Sequence, residues 1–122
     1  MIIGIGTDII EVERVQKAIA KEAFKKKIFT DNEIAYCEAQ HNDESFAARF
    51  AAKEAFFKAL GTGWREGMGI TEVEISNDKL GKPQIFLSGK AKEVFEQKGG
   101  KTIHLSLSHI KLQAIAFVVL EG

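Results

Sequence analysis

Residues 44–60 constrain the fold of this chain more than any other segment. At 100° per residue, Phe46, Phe50 and Phe57 fall on one stripe of a helix. Ala48, Ala51, Ala52, Ala55 and Ala59 form a second stripe, small enough for a sheet or another helix to pack closely against it. A helix that is apolar over most of its circumference belongs inside a packed domain. Yet it carries Arg49 and Lys53 on one side of the Phe stripe and Glu54 and Lys58 on the other. Ions in such surroundings are costly unless paired or functional. Two readings stand side by side. Glu54 and Lys58 form an i,i+4 surface pair contributing about 0.3–0.5 kcal/mol, or these charges line a cleft.

The flanking segments supply a sheet for this helix. Ile2, Ile3, Ile5, Ile9 and Ile10 form a β-branched opening strand punctuated by Gly4 and Gly6. The spacing of Val12, Val15 and Ile19 predicts a helix over 11–26. Thr30 to Glu33 reads as a capping box, with Phe29 and Ile34 as its hydrophobic staple, opening a short helix that ends near Ala39. Gly61 is placed to close the long helix, and a flexible loop is expected over 64–69. Val73 and Ile75, the turn chemistry of 77–83, and the returning Ile85 to Leu87 predict a hairpin. Ser88 is positioned to cap a helix that buries Ala91, Val94 and Phe95 and ends at Gly99-Gly100. Ile103, Leu105 and Leu107 alternate with His104, Ser106 and Ser108 in a half-buried strand, and 114–120 reads as a strand buried on both faces. The expected class is α+β, a mainly antiparallel sheet packed with helices.

Composition narrows the function. The 122 residues, without repeats or a Pro/Ser-rich linker, suit one domain over 1–122. Seventeen basic residues balance seventeen acidic ones, which argues against a nucleic-acid coat. No stretch approaches the roughly 18 apolar residues of a membrane span. The apolar run at the start breaks at Asp8 without a basic segment before it, so it is not read as a secretory signal. A lone cysteine, Cys37, forms no intrachain disulfide, and a cytoplasmic setting is expected.

Taken singly, the residues with chemical potential are ambiguous. Asp8, after a glycine-punctuated strand, reads as a helix cap or as a ligand-facing carboxylate. Arg14, Lys17, Lys21 and Lys25 recur at i, i+3, i+7 and i+11 along the expected 11–26 helix. They read as a solvated face or as a docking rail for an acidic partner. Gly4-Ile5-Gly6 lacks the third glycine of a dinucleotide fingerprint, and Gly61-Thr62-Gly63 lacks the Lys of a P-loop. Ser106, Ser108 and His109 sit in no nucleophile elbow.

Their order along the chain carries more. Gly4-Ile-Gly-Thr-Asp-Ile9, Phe29-Thr-x-x-Glu33-x-x-Tyr36-Cys37, Arg49-Phe-Ala-Ala-Lys-Glu-Ala55 with Lys58-Ala-x-Gly-Thr-Gly63, Gly81-Lys-Pro83 and Ser106-Leu-Ser-His109 follow one another. This arrangement resembles the bacterial holo-[acyl-carrier-protein] synthases, small 4′-phosphopantetheinyl transferases, over essentially the whole chain. Ile110 departs from the Thr or Ser that more often follows the His, and Glu72 from a common Asp.

The resemblance implies the 4′-phosphopantetheinyl transferase fold. It also implies Mg²⁺-dependent transfer of the phosphopantetheine arm of coenzyme A to a serine of acyl carrier protein, in support of fatty acid biosynthesis. It assigns Asp8 and Glu54 to Mg²⁺ and catalysis, and Arg49, Lys58, Gly61, Gly63, Pro83 and His109 to coenzyme A. Lys53 stands apart as a candidate structural residue. The serine proton would leave through a metal-bound water or through Glu54. The basic row of Arg14, Lys17, Lys21 and Lys25 acquires the acidic helix of the carrier as its expected partner, and a homotrimer with active sites between subunits is expected. Two other functions compete: a non-catalytic carrier-binding module and a different nucleotide-dependent transferase. Both predict no modified carrier from coenzyme A.

Overall fold

The computed structural model describes residues 1–63 and 67–122, so 64–66 of the expected loop lie outside the described residues. The element order is β1 (Ile2–Glu11), α1 (Val12–Ile19), α2 (Glu22–Ile28), α3 (Asp31–Ala39), α4 (Glu44–Leu60), a 3-10 turn (Ile70–Glu72), β2 (Val73–Asn77), β3 (Pro83–Leu87), α5 (Gly89–Gln97), β4 (Thr102–His109) and β5 (Gln113–Glu121). The strands form an antiparallel three-stranded sheet in the order β1-β5-β4 and a separate β2-β3 hairpin. The α+β class and the helix over Glu44–Leu60 agree with the sequence reading.

α4 packs on the inner face of the three-stranded sheet, and its alanines are why. Ala51, Ala52 and Ala55 are fully buried, as are the facing Ala116 and Val118 of β5. On β1 the inward positions are Gly4 and Gly6. A methyl group at Gly6 would collide with the Ala55 carbonyl oxygen, and one at Gly4 with that of Ala59. The strand backbone therefore lies directly on the helix backbone, a separation that only glycine allows.

Three expectations are corrected. The segment over 11–26 is two helices: Lys21 is extended at the N-terminus of α2, and its N–H donates back to Ala18 O. The apolar phase changes there. Phe24 comes five residues after Ile19, about 140° away from continuing the stripe of a single helix. Asp8 caps nothing, because β1 runs on through Glu11 and α1 starts at Val12. β5 is not buried on both faces. Ala114, Ala116, Val118 and Leu120 are buried, whereas Ile115 and Phe117 are 42% and 46% exposed. The inward face carries two alanines beside Val118 and Leu120, and Ile115 and Phe117 point out.

The opposite side of α4 holds the hairpin through a buried ion pair. Glu33 and Lys53 are 1% and 0% exposed, and their charged groups lie 2.8 Å apart. Glu33 is the capping-box residue of α3 and accepts from the Thr30 and Ile75 backbone N–H groups. Lys53 donates to Val73 O. Burial pulls the Lys53 ammonium below its ordinary range, against the opposing pull of Glu33. At α5, Ser88 occupies the N-cap position without a side-chain cap bond. Glu72 takes that role, accepting from Ala91 N at 2.9 Å. Cys37 is fully buried, and burial pushes its thiol up to about 11, an inert setting.

Replacing Gly6 with Ala forces β1 off α4. Gly6→Ala should lower the stability of the fold by about 1–3 kcal/mol, measured as a fall in the urea midpoint. An unchanged midpoint would show that the close approach is not required.

Candidate active site

The carboxylate of Asp8 is placed by the packing of β1. Gly4, Gly6 and Asp8 alternate onto one face of the strand, and Asp8 pairs in register with the buried Ala116. The face that brings two glycines against α4 thus aims Asp8 at the last turns of the same helix. There Lys58 Nζ donates to Asp8 Oδ1 at 2.9 Å and to Thr7 O at 3.1 Å. The expected Glu54–Lys58 pair is not among the ion pairs of the described residues, because Asp8 takes the ammonium.

Glu54 stands one turn before Lys58 and is half-buried. Its carboxyl is held above the usual range, first by burial and then by the negative charge of Asp8, while Lys58 pulls it down. The two carboxylates therefore share one electrostatic neighbourhood despite being far apart in sequence. The helix ends beside them at Gly61, in the left-handed conformation with φ 83°. Glu54, Lys58, Gly61, Thr62 and Gly63 line a cleft of about 340 Å³. Gly61 and Gly63 are exposed, and a Cβ at either would meet nothing within 4 Å, so their backbone is open to a ligand.

The other expected coenzyme A residues lie elsewhere in the chain. Arg49 precedes Lys58 by nine residues, which puts it roughly 13 Å away along the axis and on the opposite side of α4. It is 3% exposed. Its Nη2 donates to Asn77 Oδ1, its guanidinium stacks 4.1 Å from the Tyr36 ring centroid, and its Nε is buried without a hydrogen-bond partner. Pro83 pairs in register with Asn77 and so joins the Arg49 group. His109, at the end of β4, reaches Glu44 at the start of α4, 2.8 Å away. One chain thus gathers Asp8, Glu54, Lys58, Gly61 and Gly63 at one end of α4, and Arg49, Pro83 and His109 toward the other.

A cavity of about 490 Å³ between β3 and β4 is lined by Pro83 but by neither carboxylate. Acidic and basic side chains meet instead at the cleft lined by Glu54 and Lys58. Tyr36 and Asn77, which hold Arg49, were not singled out as site residues, since one reads as a helix residue and the other as turn chemistry.

The basic row keeps three of its four residues at the surface. Arg14, Lys17 and Lys21 are exposed, with Lys17 paired to Glu13 at 3.0 Å. Lys25 turns inward, its side chain 12% exposed, to pair with Glu38. Arg14 borders a small apolar cavity of about 110 Å³ formed by Ile10, Val15, Ala18, Phe24 and Phe50. Sequence patterning does not reveal this feature, because four separate elements, β1, α1, α2 and α4, contribute to it.

The raised carboxyl of Glu54 has a consequence for stability. The folded chain binds this proton more tightly than the unfolded chain, so ionised Glu54 opposes folding near neutrality, and the cost disappears as pH falls through the folded-state pKa. Glu54→Gln should therefore raise the urea midpoint at pH 7, and the gain should vanish at about pH 4. A midpoint that falls at pH 7 would contradict this placement.

Comparison with known proteins shows the family of the chain. The family model of the 4′-phosphopantetheinyl transferase superfamily matches residues 4–117. A holo-[acyl-carrier-protein] synthase of Clostridium tetani is 50% identical, with 100% of this chain and 98% of the relative covered. The crystal structure of holo-[acyl-carrier-protein] synthase from Neisseria meningitidis superposes with a TM-score of 0.89 at 39% identity, covering 100% of both chains. A holo-(acyl-carrier-protein) synthase from Bacillus anthracis, solved in complex with CoA (3′,5′-ADP), gives 0.83 at 39% identity over 100% of this chain and 98% of that one. With its full-length similarity, its antiparallel α+β fold and its paired carboxylates beside a glycine-lined cleft, the chain belongs to the holo-[acyl-carrier-protein] synthases of the 4′-phosphopantetheinyl transferase superfamily.

Proposed function

We propose that the chain transfers the 4′-phosphopantetheine group of coenzyme A to a serine of apo-acyl carrier protein, giving holo-acyl carrier protein and adenosine 3′,5′-bisphosphate. The observation that carries this reading is the meeting of Asp8, Glu54 and Lys58 at the mouth of the Gly61–Gly63 cleft. In the reaction the serine oxygen forms a bond to the phosphorus that bears the pantetheine arm. The P–O bond to the adenosine bisphosphate breaks, and the serine proton is lost.

The donors suit Mg²⁺. Among the described residues there is no cluster of three or more His, Cys, Asp or Glu ligands. Mg²⁺ needs none, since it is held by one or two carboxylates and fills its remaining positions with water and substrate phosphate. Burial, and after it the charge of Asp8, holds the Glu54 carboxyl above its usual range, and a divalent cation would offset both. Asp8 and Glu54 would hold it, and when bound it supplies positive charge to the diphosphate and its leaving oxygen. The protein groups do the rest. Lys58 offers an ammonium to a phosphate oxygen. The open backbone at Gly61 and Gly63 gives N–H donors. The serine proton passes to Glu54 or to a water held at the site.

The site is completed by a second copy in this reading. Arg49, Pro83 and His109 project away from the carboxylates within one chain, and the outer face of the sheet is unusually apolar. Ile5, Ile9, Ile115 and Phe117 are 61%, 60%, 42% and 46% exposed there. A homotrimer that covers this face and brings Arg49, Pro83 and His109 of one copy to the carboxylates of the next satisfies both observations. The carrier protein docks with its acidic helix over Arg14, Lys17 and Lys21, with an apolar side chain in the cavity beside Arg14. Lys25, committed to Glu38, contributes little. No helix among the described residues is long and apolar enough to cross a membrane. The reading places the enzyme in the cytoplasm, serving fatty acid biosynthesis.

Incubation with apo-acyl carrier protein, coenzyme A and Mg²⁺, followed by mass measurement of the carrier, tests the activity. Asp8→Ala and Glu54→Ala should each reduce turnover by about two orders of magnitude or more with the fold retained. In the same assay Arg14→Glu should raise KM for the carrier about tenfold and leave KM for coenzyme A unchanged. An unmodified carrier that a known transferase can modify would refute the activity.

Subunit complementation tests the shared site. Asp8→Ala and His109→Ala, each inactive alone, should recover activity when refolded together, because mixed assemblies contain interfaces with both native residues. No recovery in mixtures proven to contain both subunits would place the site within one chain.

A further inference from the structure

Lys58 plays two parts that exclude each other in time. We propose that its ammonium is a resident counter-ion of Asp8, bound to Asp8 and Thr7 in the free protein, which a divalent cation must displace to take the carboxylate. The inference rests on the reading of Asp8 and Glu54 as metal ligands, and it adds an order of events to that reading.

The geometry carries it. The ammonium sits between two oxygens, Asp8 Oδ1 at 2.9 Å and Thr7 O at 3.1 Å. The Asp8 side chain is 15% exposed, so its charge is poorly hydrated and benefits from a partner. The Lys58 side chain is 56% exposed on the last turn of α4, with a flexible stem and room to swing. One ammonium does not neutralise two carboxylates, so the free site keeps a surplus negative charge that attracts a dication. Once the dication balances Asp8 and Glu54, Lys58 is left as a spare positive charge at the lip of the cleft it lines. The diphosphate of coenzyme A then meets a free ammonium, and cation and substrate binding promote one another. Lys58 thereby lowers the affinity of the empty site for metal and reserves its own charge for the substrate.

Mn²⁺ alone is the probe, titrated into the full-length protein without coenzyme A and followed by electron paramagnetic resonance or calorimetry. Lys58→Met keeps most of the stem and removes the charge. It should bind Mn²⁺ about tenfold more tightly than the unaltered protein. Lys58→Arg, which keeps a cation on Asp8, should stay near the original affinity. Asp8→Ala should abolish binding in either background, and thermal unfolding checks that every variant is folded. Equal or weaker Mn²⁺ binding by Lys58→Met, with binding still dependent on Asp8, overturns the proposal and leaves the metal assignment standing. Mn²⁺ binding that ignores Asp8→Ala overturns both. No uptake by Lys58→Met overturns the proposal, and the same titration with coenzyme A present then decides the metal assignment separately.

Discussion

The contact between two glycines of β1 and the backbone of α4 sets the geometry of everything else. Gly4 and Gly6 have no side chains to hold the strand away, and Ala55 and Ala59 offer only methyl groups on the helix. Two backbones meet at a distance that larger residues would forbid. Side chains alternate along a strand, so the next inward residue after Gly4 and Gly6 is Asp8. A carboxylate is thus carried to the helix by packing alone, and the helix supplies Glu54 and Lys58 to meet it. The small residues of the core and the charged residues of the site belong to one arrangement.

What was legible in the chain was local. α4 runs over Glu44–Leu60 as its two stripes predict. The Thr30–Glu33 box forms with both of its reciprocal bonds, and the hairpin closes where the turn chemistry lies. Each of these depends on residues within a few positions of one another. The misreadings came from contacts over distance or from the choice of face. An unbroken apolar run in β5 does not say which side meets α4, and only the packing against the helix decides it. Charges at i,i+4 suggested that Lys58 belongs to Glu54, but a partner fifty positions earlier takes it. The break between α1 and α2 was visible as a change of apolar phase at Phe24, masked by the regular spacing of the basic residues.

The other side of α4 has its own logic. Lys53 and Arg49 lie close to one line on the helix, and both reach the hairpin, Lys53 at Val73 and Arg49 at Asn77. Glu33 joins them from α3 through the Ile75 N–H. One face of the helix thus anchors a hairpin while the opposite face presents the carboxylate cleft. The sequence resemblance treats Arg49 and Lys58 as members of one binding set, and helix geometry puts them on opposite sides of a single chain. The site proposed to be shared between copies would reconcile the two.

The outward face of β5 bears on how such a molecule survives. Ala114, Ala116, Val118 and Leu120 are buried, while Ile115 and Phe117 face outward. For a chain that assembles through this surface, part of the stabilising burial is supplied by neighbours and follows mass action. Dilution then acts on the fold much as a mild denaturant would, and a dilute sample reports a weaker protein than a crowded one.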